Sequence, residues 1–176
     1  LHLDYEETLT GEDASEQTLS DLRSAVEKRI PRQASVALLF SGGLDSALIA
    51  ALLQEHDVDV NAYYGGIPGS DEETKARRAA DDLGLDLTVS HTDVNNRLEP
   101  VADIIDDTNY VKLSVALAFD AACQATKDES VIMSGSGAEE LFGGYSRMGG
   151  RNEAKQERRS RLRQKKYTEH QREEPG

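Results

Sequence analysis

Ser35-Val36-Ala37-Leu38-Leu39-Phe40-Ser41-Gly42-Gly43-Leu44-Asp45-Ser46-Ala47-Leu48-Ile49-Ala50 is the stretch on which the fold turns. A short apolar run of β-preferring residues stops at Ser-Gly-Gly, and Leu44, Ala47, Leu48, Ala51 and Leu52 then follow the i, i+3, i+4, i+7, i+8 spacing of a buried helix face. The pattern predicts strand, phosphate loop, helix. Gly42 and Gly43 free the backbone to turn sharply and to approach a ligand, and the amides that open the helix point at whatever lies there. An anion suits that position. Ser41 and Ser46 add hydroxyl donors, while Asp45 would repel a bare phosphate and makes sense where a divalent cation bridges it to phosphate oxygens. The loop therefore predicts a magnesium nucleotide.

At 176 residues the chain is long enough for one domain with a real core and short for two. Its net charge of -13, from 33 acidic and 20 basic residues, argues against free nucleic acid as a partner of the body and resembles the acidic exteriors of proteins from salt-loving archaea. Residues 151–176 are different, with nine Lys or Arg against five Glu, a net +4 that leaves -17 for residues 1–150. The single Cys123 cannot form an internal disulfide, and there is no apolar span near membrane length and no signal-peptide pattern. A cytoplasmic protein without membrane contact is expected. The chain begins at Leu1 without a Met, which leaves room for its being an excerpt of something longer.

Outward from the loop, residues 1–16 are polar without a sustained period and are expected to be a lead-in. Thr18 or Ser20 is expected to cap a helix with Leu22, Ala25, Val26 and Ile30 on one face, ended by Pro31. Val58 to Tyr64 is a second predicted strand, closed by Gly65-Gly66 and Pro68-Gly69. Ser70 and Glu73 form a capping box for a helix lining up Ala76, Ala79, Ala80 and Leu83 and ending at Gly84. A third strand, Leu85 to Ser90, precedes a less regular stretch with Val101, Ile104 and Ile105 on one side. A strongly apolar helix from Tyr110 to Ala125 and a short strand from Val131 to Ser134 follow, and Gly135-Ser136-Gly137 makes a second glycine turn before a helix starting over Ala138 to Phe142.

Strands alternating with helices of this length imply an α/β fold, a twisted parallel sheet of four to five strands with helices on both faces. Right-handed crossovers place every strand-to-helix turn on one edge, so the bends at Ser41, at Tyr64 to Gly66 and at Gly135 are expected to converge.

No Gly-x-x-x-x-Gly-Lys-[Ser/Thr] and no Gly-x-Gly-x-x-Gly occurs. Ser-Gly-Gly-Leu-Asp-Ser after a strand resembles instead the pyrophosphate loop of the ATP pyrophosphatases, whose fold is of the adenine nucleotide alpha hydrolase type. Ser134-Gly135-Ser136-Gly137-Ala138-Glu139-Glu140-Leu141-Phe142-Gly143-Gly144-Tyr145 is similar to the Ser-Gly-x-Gly-Ala-Asp-Glu-Leu-Phe-Gly-Gly-Tyr signature of asparagine synthetases, and Asp107 to Ser114, with Lys112 before Leu113-Ser114, resembles the segment that carries a basic residue toward the phosphates in that family. The resemblance covers residues 17–147 and leaves 148–176 as a basic tail, helical or disordered.

What it implies is a domain that uses ATP and Mg2+ to adenylate a carboxylate, by default that of aspartate, and passes it to ammonia with release of AMP and pyrophosphate. By the same resemblance Ser41, Gly42, Gly43, Asp45 and Ser46 hold the pyrophosphate, Asp45 and Glu139 ligate the metal, and Lys112 supplies positive charge. Leu39 and Tyr64, at the ends of the first two strands, contact adenine and ribose, and Gly135 approaches the adenosine. The chain departs from the signature at Glu139, one methylene longer than Asp, and at Ser136, where a Glu or Gln is frequent. No Cys precedes Ser41, so ammonia is expected from solution, a separate glutaminase or another partner subunit, with a homo-oligomer also open. The family's later segment, with a second catalytic Lys, has no counterpart after Tyr145.

Other candidates have plainer readings. Cys123, among alanines on an apolar helix, is expected to be a buried inert thiol. His91 at a strand end is expected to be structural, and Tyr63 and Tyr64 to pack in the sheet. The run Arg158 to Lys166 could dock RNA or an acidic partner, or be an exposed end; the acidic body favours the second. Two further functional readings stay open, an enzyme that uses the same loop to adenylate RNA or another acceptor, and a catalytically weakened nucleotide-binding module.

Overall fold

Val36, Leu38 and Phe40 point to one side of the first strand and Ala37 and Leu39 to the other, and this alternation founds the two cores of the molecule. The computed structural model describes residues 11–30, 35–129 and 131–138. The chain divides into two units between Gly135 and Ser136, and the fold described here belongs to the first. The first strand, β1 (Ser35–Leu39), lies inside a four-stranded sheet of order β3-β2-β1-β4, with β2 at Asp59–Gly66, β3 at Asp86–His91 and β4 at Val131–Ser134. All three pairings are parallel, with Val36 opposite both Val60 and Val131 and Leu39 opposite both Tyr63 and Ser134. The α/β expectation holds, with four strands among the described residues.

On one face lie α1 (Gly11–Glu27), α2 (Leu44–Gln54) and α3 (Asp71–Leu83), whose Val26, Ala50, Leu52, Leu53 and Ala80 close over Val36, Leu38, Phe40 and Ala62. Fully burying each of the larger side chains contributes about 1.5–3 kcal/mol, which makes this the principal core. On the other face α5 (Tyr110–Ala125) packs Ala122 and Ala125 against Ala37, Leu39 and Tyr63. It lies so close to the sheet that a Cβ on Gly65 would stand 2.0 Å from the Ala118 carbonyl oxygen. The remaining helix, α4 (Val94–Ile105), is clamped to α5 by Arg97, which donates to both oxygens of Asp120 at 2.6 and 2.8 Å.

The helix ends follow their local chemistry. Ser70 caps α3 by accepting from the Glu73 amide at 3.2 Å, and the Glu73 carboxylate reaches back to the Gly69 N–H at 2.9 Å, one residue beyond the usual reciprocal partner. Gly84, with φ 65°, ends the same helix in the left-handed region, as the sequence predicts.

Four expectations need correction. α1 begins at Gly11, inside the expected lead-in, and Thr18 is no cap, because its hydroxyl donates to the Ala14 carbonyl at 2.6 Å within the helix. The buried side of α2 is Ser46, Ala50, Leu52 and Leu53, whereas Leu44 is 84% exposed and Leu48 and Ala51 are exposed too. In a helix apolar nearly all round, spacing alone does not fix which side turns inward. The irregular stretch after β3 is the regular helix α4, capped by Asp93 and containing Pro100; it buries Val101 but leaves Ile104 75% exposed. Cys123 is exposed, one step round α5 from the buried Ala121 and Ala122. Desolvation and then the Asp120 carboxylate still push its thiol above the ordinary range, so it stays protonated and unreactive at neutral pH. Among the described residues no helix is long and apolar enough to cross a membrane. Pro31, Glu139 to Phe142 and the tail from residue 148 lie outside the described residues.

Candidate functional site

In a parallel sheet every strand ends on the same edge, and here that edge has a reversal in strand order. From β1 the chain adds β2 and β3 to one side; after α4 and α5 it returns to lay β4 on the other side of β1. The crevice between the ends of β1 and β4 is the place where such sheets take ligands. The Ser41-Gly42-Gly43 bend leaves β1 there and Gly135 leaves β4. A Cβ on Gly135 would stand 2.8 Å from Asp45 Cβ and 2.9 Å from the Ser46 amide nitrogen. The second glycine bend thus rests on the helix turn that follows the first, and only a residue without a side chain lets β4 end against the start of α2.

The loop is shaped by contacts that a side chain would break. Gly42 has φ 67°, and a Cβ on it would lie 2.8 Å from Ala76 Cα and 2.9 Å from the Lys75 carbonyl oxygen, so α3 presses directly on the bend. Ser46 is buried and donates from its hydroxyl to the Gly43 carbonyl at 3.0 Å, with Ser41 Oγ 3.3 Å from Ser46 Oγ and accepting from the Gly43 N–H at 3.3 Å. Those bonds tie the loop to the first turn of the helix. Ser70, Asp93 and Asn109 cap α3, α4 and α5 through their side chains, but no side chain caps α2 at Gly43. The opening amides of Leu44, Asp45 and Ser46 have no intrahelical acceptor, and with the macrodipole behind them they form an anion-binding corner.

Asp45 is half-buried in that first turn, beside Gly135. Its expected metal partner, Glu139, lies outside the described residues, and among the described residues no group of three His, Cys, Asp or Glu could hold a metal. Free amides with the Ser41 hydroxyl and the Asp45 carboxylate are a donor set that suits a phosphate chain with one bridging cation. Leu39 ends β1 half-buried toward α5. Tyr64 is buried, its hydroxyl 3.3 Å from Ser70 Oγ at the cap of α3, so its ring is taken up in packing as expected. Tyr63 packs in the second core and donates to Glu129.

Lys112 stands in the first turn of α5, where the macrodipole disfavours a cation, and its ammonium is paired with Asp107. Asp107 also accepts from the Asn109 N–H at 2.8 Å, and these bonds hold its carboxyl below the usual range. The structure therefore places the expected positive charge in a local ion pair. His91 is 3.3 Å from the Glu73 carboxylate, a structural role as expected.

Sequence reasoning missed Lys75. It lies on α3, next to the core residue Ala76, and its Nζ would be 3.9 Å from a Cβ placed on Gly43. A Lys one position from an alanine stripe carries no signal by itself; what brings it to the loop is the close approach of α3 to Gly42.

The model of the family described as asparagine synthase matches residues 17–175. A putative glutamine-hydrolysing asparagine synthetase 1 of Methanocaldococcus jannaschii is 34% identical over 152 residues, covering 84% of this chain and 28% of that protein. The glutamine-hydrolysing asparagine synthetase of Asparagus officinalis is 27% identical over 136 residues, covering 69% of this chain and 23% of its own length. The chain thus spans about a quarter of the length of these curated relatives. Among solved structures, a glutamine-dependent NAD+ synthetase from Acinetobacter baumannii in complex with adenosine diphosphate is alike in fold, with a TM-score of 0.52 at 20% identity over 80% of this chain and 29% of that one. The glycine bend of β1, the second bend at Gly135 and the match along most of the sequence agree: the chain belongs to the asparagine synthase family.

Proposed function

We propose that this chain is the nucleotide-binding part of an amide-forming synthetase, which binds ATP with Mg2+, activates a carboxylate as its adenylate and passes it to ammonia, leaving AMP and pyrophosphate. Aspartate is the default carboxylate. The observation that supports this reading most is the seat of Gly135 against Asp45 and Ser46 at the uncapped start of α2, directly after the Gly42-Gly43 bend, in a chain of this family.

In this reading the amides of Leu44, Asp45 and Ser46 and the hydroxyl of Ser41 grip the pyrophosphate end, while the Ser46 hydroxyl, donating to the Gly43 carbonyl, braces the loop, so that charge developing on the leaving group meets donors already in place. Asp45 and Glu139 would hold the Mg2+, which supplies neutralising charge to the phosphate oxygens. The ends of β1 and β2 at Leu39 and Tyr64 flank the adenosine, and Gly135 lets it come close to the backbone. Lys112 would have to leave Asp107 to serve the phosphates. The relatives' names specify glutamine hydrolysis; we assign the supply of ammonia to a glutaminase, on a partner subunit or elsewhere, or to free ammonium.

The test supplies the 176-residue chain with ATP, Mg2+ and aspartate, with and without ammonium, in high salt. AMP and pyrophosphate are expected, with asparagine when ammonium is present. ADP as product would remove the proposal. ATP binding without turnover for any carboxylate would reduce it to a nucleotide-binding module, the outcome toward which Ser136 and Glu139 lean.

A further inference from the structure

We infer that Lys75, on α3, is the residue that brings positive charge to the phosphate chain at the glycine loop, the part the family resemblance gives to Lys112. The inference rests on the nucleotide reading above and adds to it a residue and a direction of approach.

Three observations carry it. α3 touches the loop with its backbone, because the Lys75 carbonyl and Ala76 Cα occupy the space a side chain on Gly42 would need. From that foothold the Lys75 side chain runs along the loop, and its Nζ would stand 3.9 Å from a Cβ on Gly43, the residue that opens α2. Gly43 has otherwise only Ser41 Oγ within 4 Å of that position, so the side facing Lys75 is open. Finally, Lys75 belongs to none of the ion pairs of the described residues, while Lys112 is matched with Asp107, Arg77 with Glu73 and Arg97 with Asp120. A flexible, exposed ammonium without a carboxylate partner, placed beside free amides, is the arrangement that takes a phosphate as a point charge.

The position also predicts which phosphates it serves. Lys75 reaches Gly43, at the loop where the proposed reading puts the pyrophosphate, whereas the atoms nearest to Gly135, where that reading puts the adenosine, are those of Asp45 and Ser46. Its contribution should therefore appear for ATP and pyrophosphate and vanish for AMP.

The experiment measures the affinity of the 176-residue chain for ATP, pyrophosphate and AMP, with Mg2+, for wild type, Lys75→Ala, Lys75→Arg, Lys112→Ala and Lys127→Ala. The last removes the same charge at the opposite edge of the sheet. Expected is a loss of about tenfold or more in ATP and pyrophosphate affinity for Lys75→Ala, no change for AMP, substantial rescue by Arg, and wild-type behaviour of Lys127→Ala. Lys75 is exposed, so thermal melting should report the same fold for every variant. Equal ATP affinity of Lys75→Ala and wild type, or a loss with Lys112→Ala and not with Lys75→Ala, would overturn the inference and leave the nucleotide reading standing. A wild-type chain that binds neither ATP nor pyrophosphate would overturn both.

Discussion

Gly135 lies flush against Asp45: a Cβ on the glycine would be 2.8 Å from the Cβ of the aspartate. That contact joins the last strand to the first turn of α2, so any side chain at 135 must push the helix start away from the sheet. Gly135→Ala should weaken ATP binding by about tenfold while costing about 1–3 kcal/mol of stability, the usual range for overpacking. Parallel titration calorimetry and urea unfolding check this; an unchanged affinity would show that the two bends act independently.

Glu73 is held well below its ordinary value near 4.5, at about 2, first by the Gly69 N–H and then by the Arg77 guanidinium, with His91 adding to them. A carboxylate lowered by folding contributes stability that is complete above its unfolded value and lost as the pH falls toward the folded one. The window is therefore about 4.5 down to about 2. Glu73→Gln should lower the urea midpoint at pH 7 and flatten its decline through that window. A mutant whose acid profile parallels that of the wild type would refute the assignment.

Tyr63 is 2% exposed, and burial, followed by its bond to Glu129, pushes its phenol up from 10.0 to about 12. Because the folded state keeps this proton longer, the stability it supplies is present below pH 10 and lost as the pH rises through about 12. Tyr63→Phe should cost about 1 kcal/mol at neutral pH. It should also remove the last component of the ultraviolet tyrosine titration, which otherwise reports on six tyrosines.

With -17 on residues 1–150, charge repulsion acts against folding wherever ions do not screen it. Raising KCl from ~0.1 M to ~1 M shortens the screening length from about 10 Å to about 3 Å. Thermal unfolding should move up by several degrees over that range, and a flat response would remove the reading of the acidity as a salt adaptation.

Much of the scaffold is legible in the residues because strand and helix periods differ. β4 and α5 coincide with their predicted bounds, and the Ser70 to Gly84 helix carries both caps in its sequence. α4 hides behind Pro100, which spoils a helical pattern because inside a helix it removes an amide donor and crowds the carbonyl four residues before it. The inward faces of α2 and α5 are hidden for the opposite cause: when nearly every position is apolar, periodicity has no contrast, and the phase is set by the tight turn at Gly43 and by the close seat of Ala118 and Ala122. Of the site, the loop glycines and hydroxyls follow from local chemistry. The reach of Lys75 depends on a side chain meeting a loop across elements, which no spacing records, whereas Lys112 is neutralised locally by Asp107, five residues before it.

The pairing of Val36 with Val131 joins residues 95 positions apart, and it has a consequence for how the protein comes into being. Closing so large a loop is entropically the most expensive step of assembling the sheet, and contacts of this separation form slowly. β1, β2 and β3 can zip together through nearby crossovers, but the wall that Gly135 provides arrives only with β4. A chain in which that strand has not yet paired has its glycine bend and no opposite bank, so the proposed site is complete only once β4 lies beside β1.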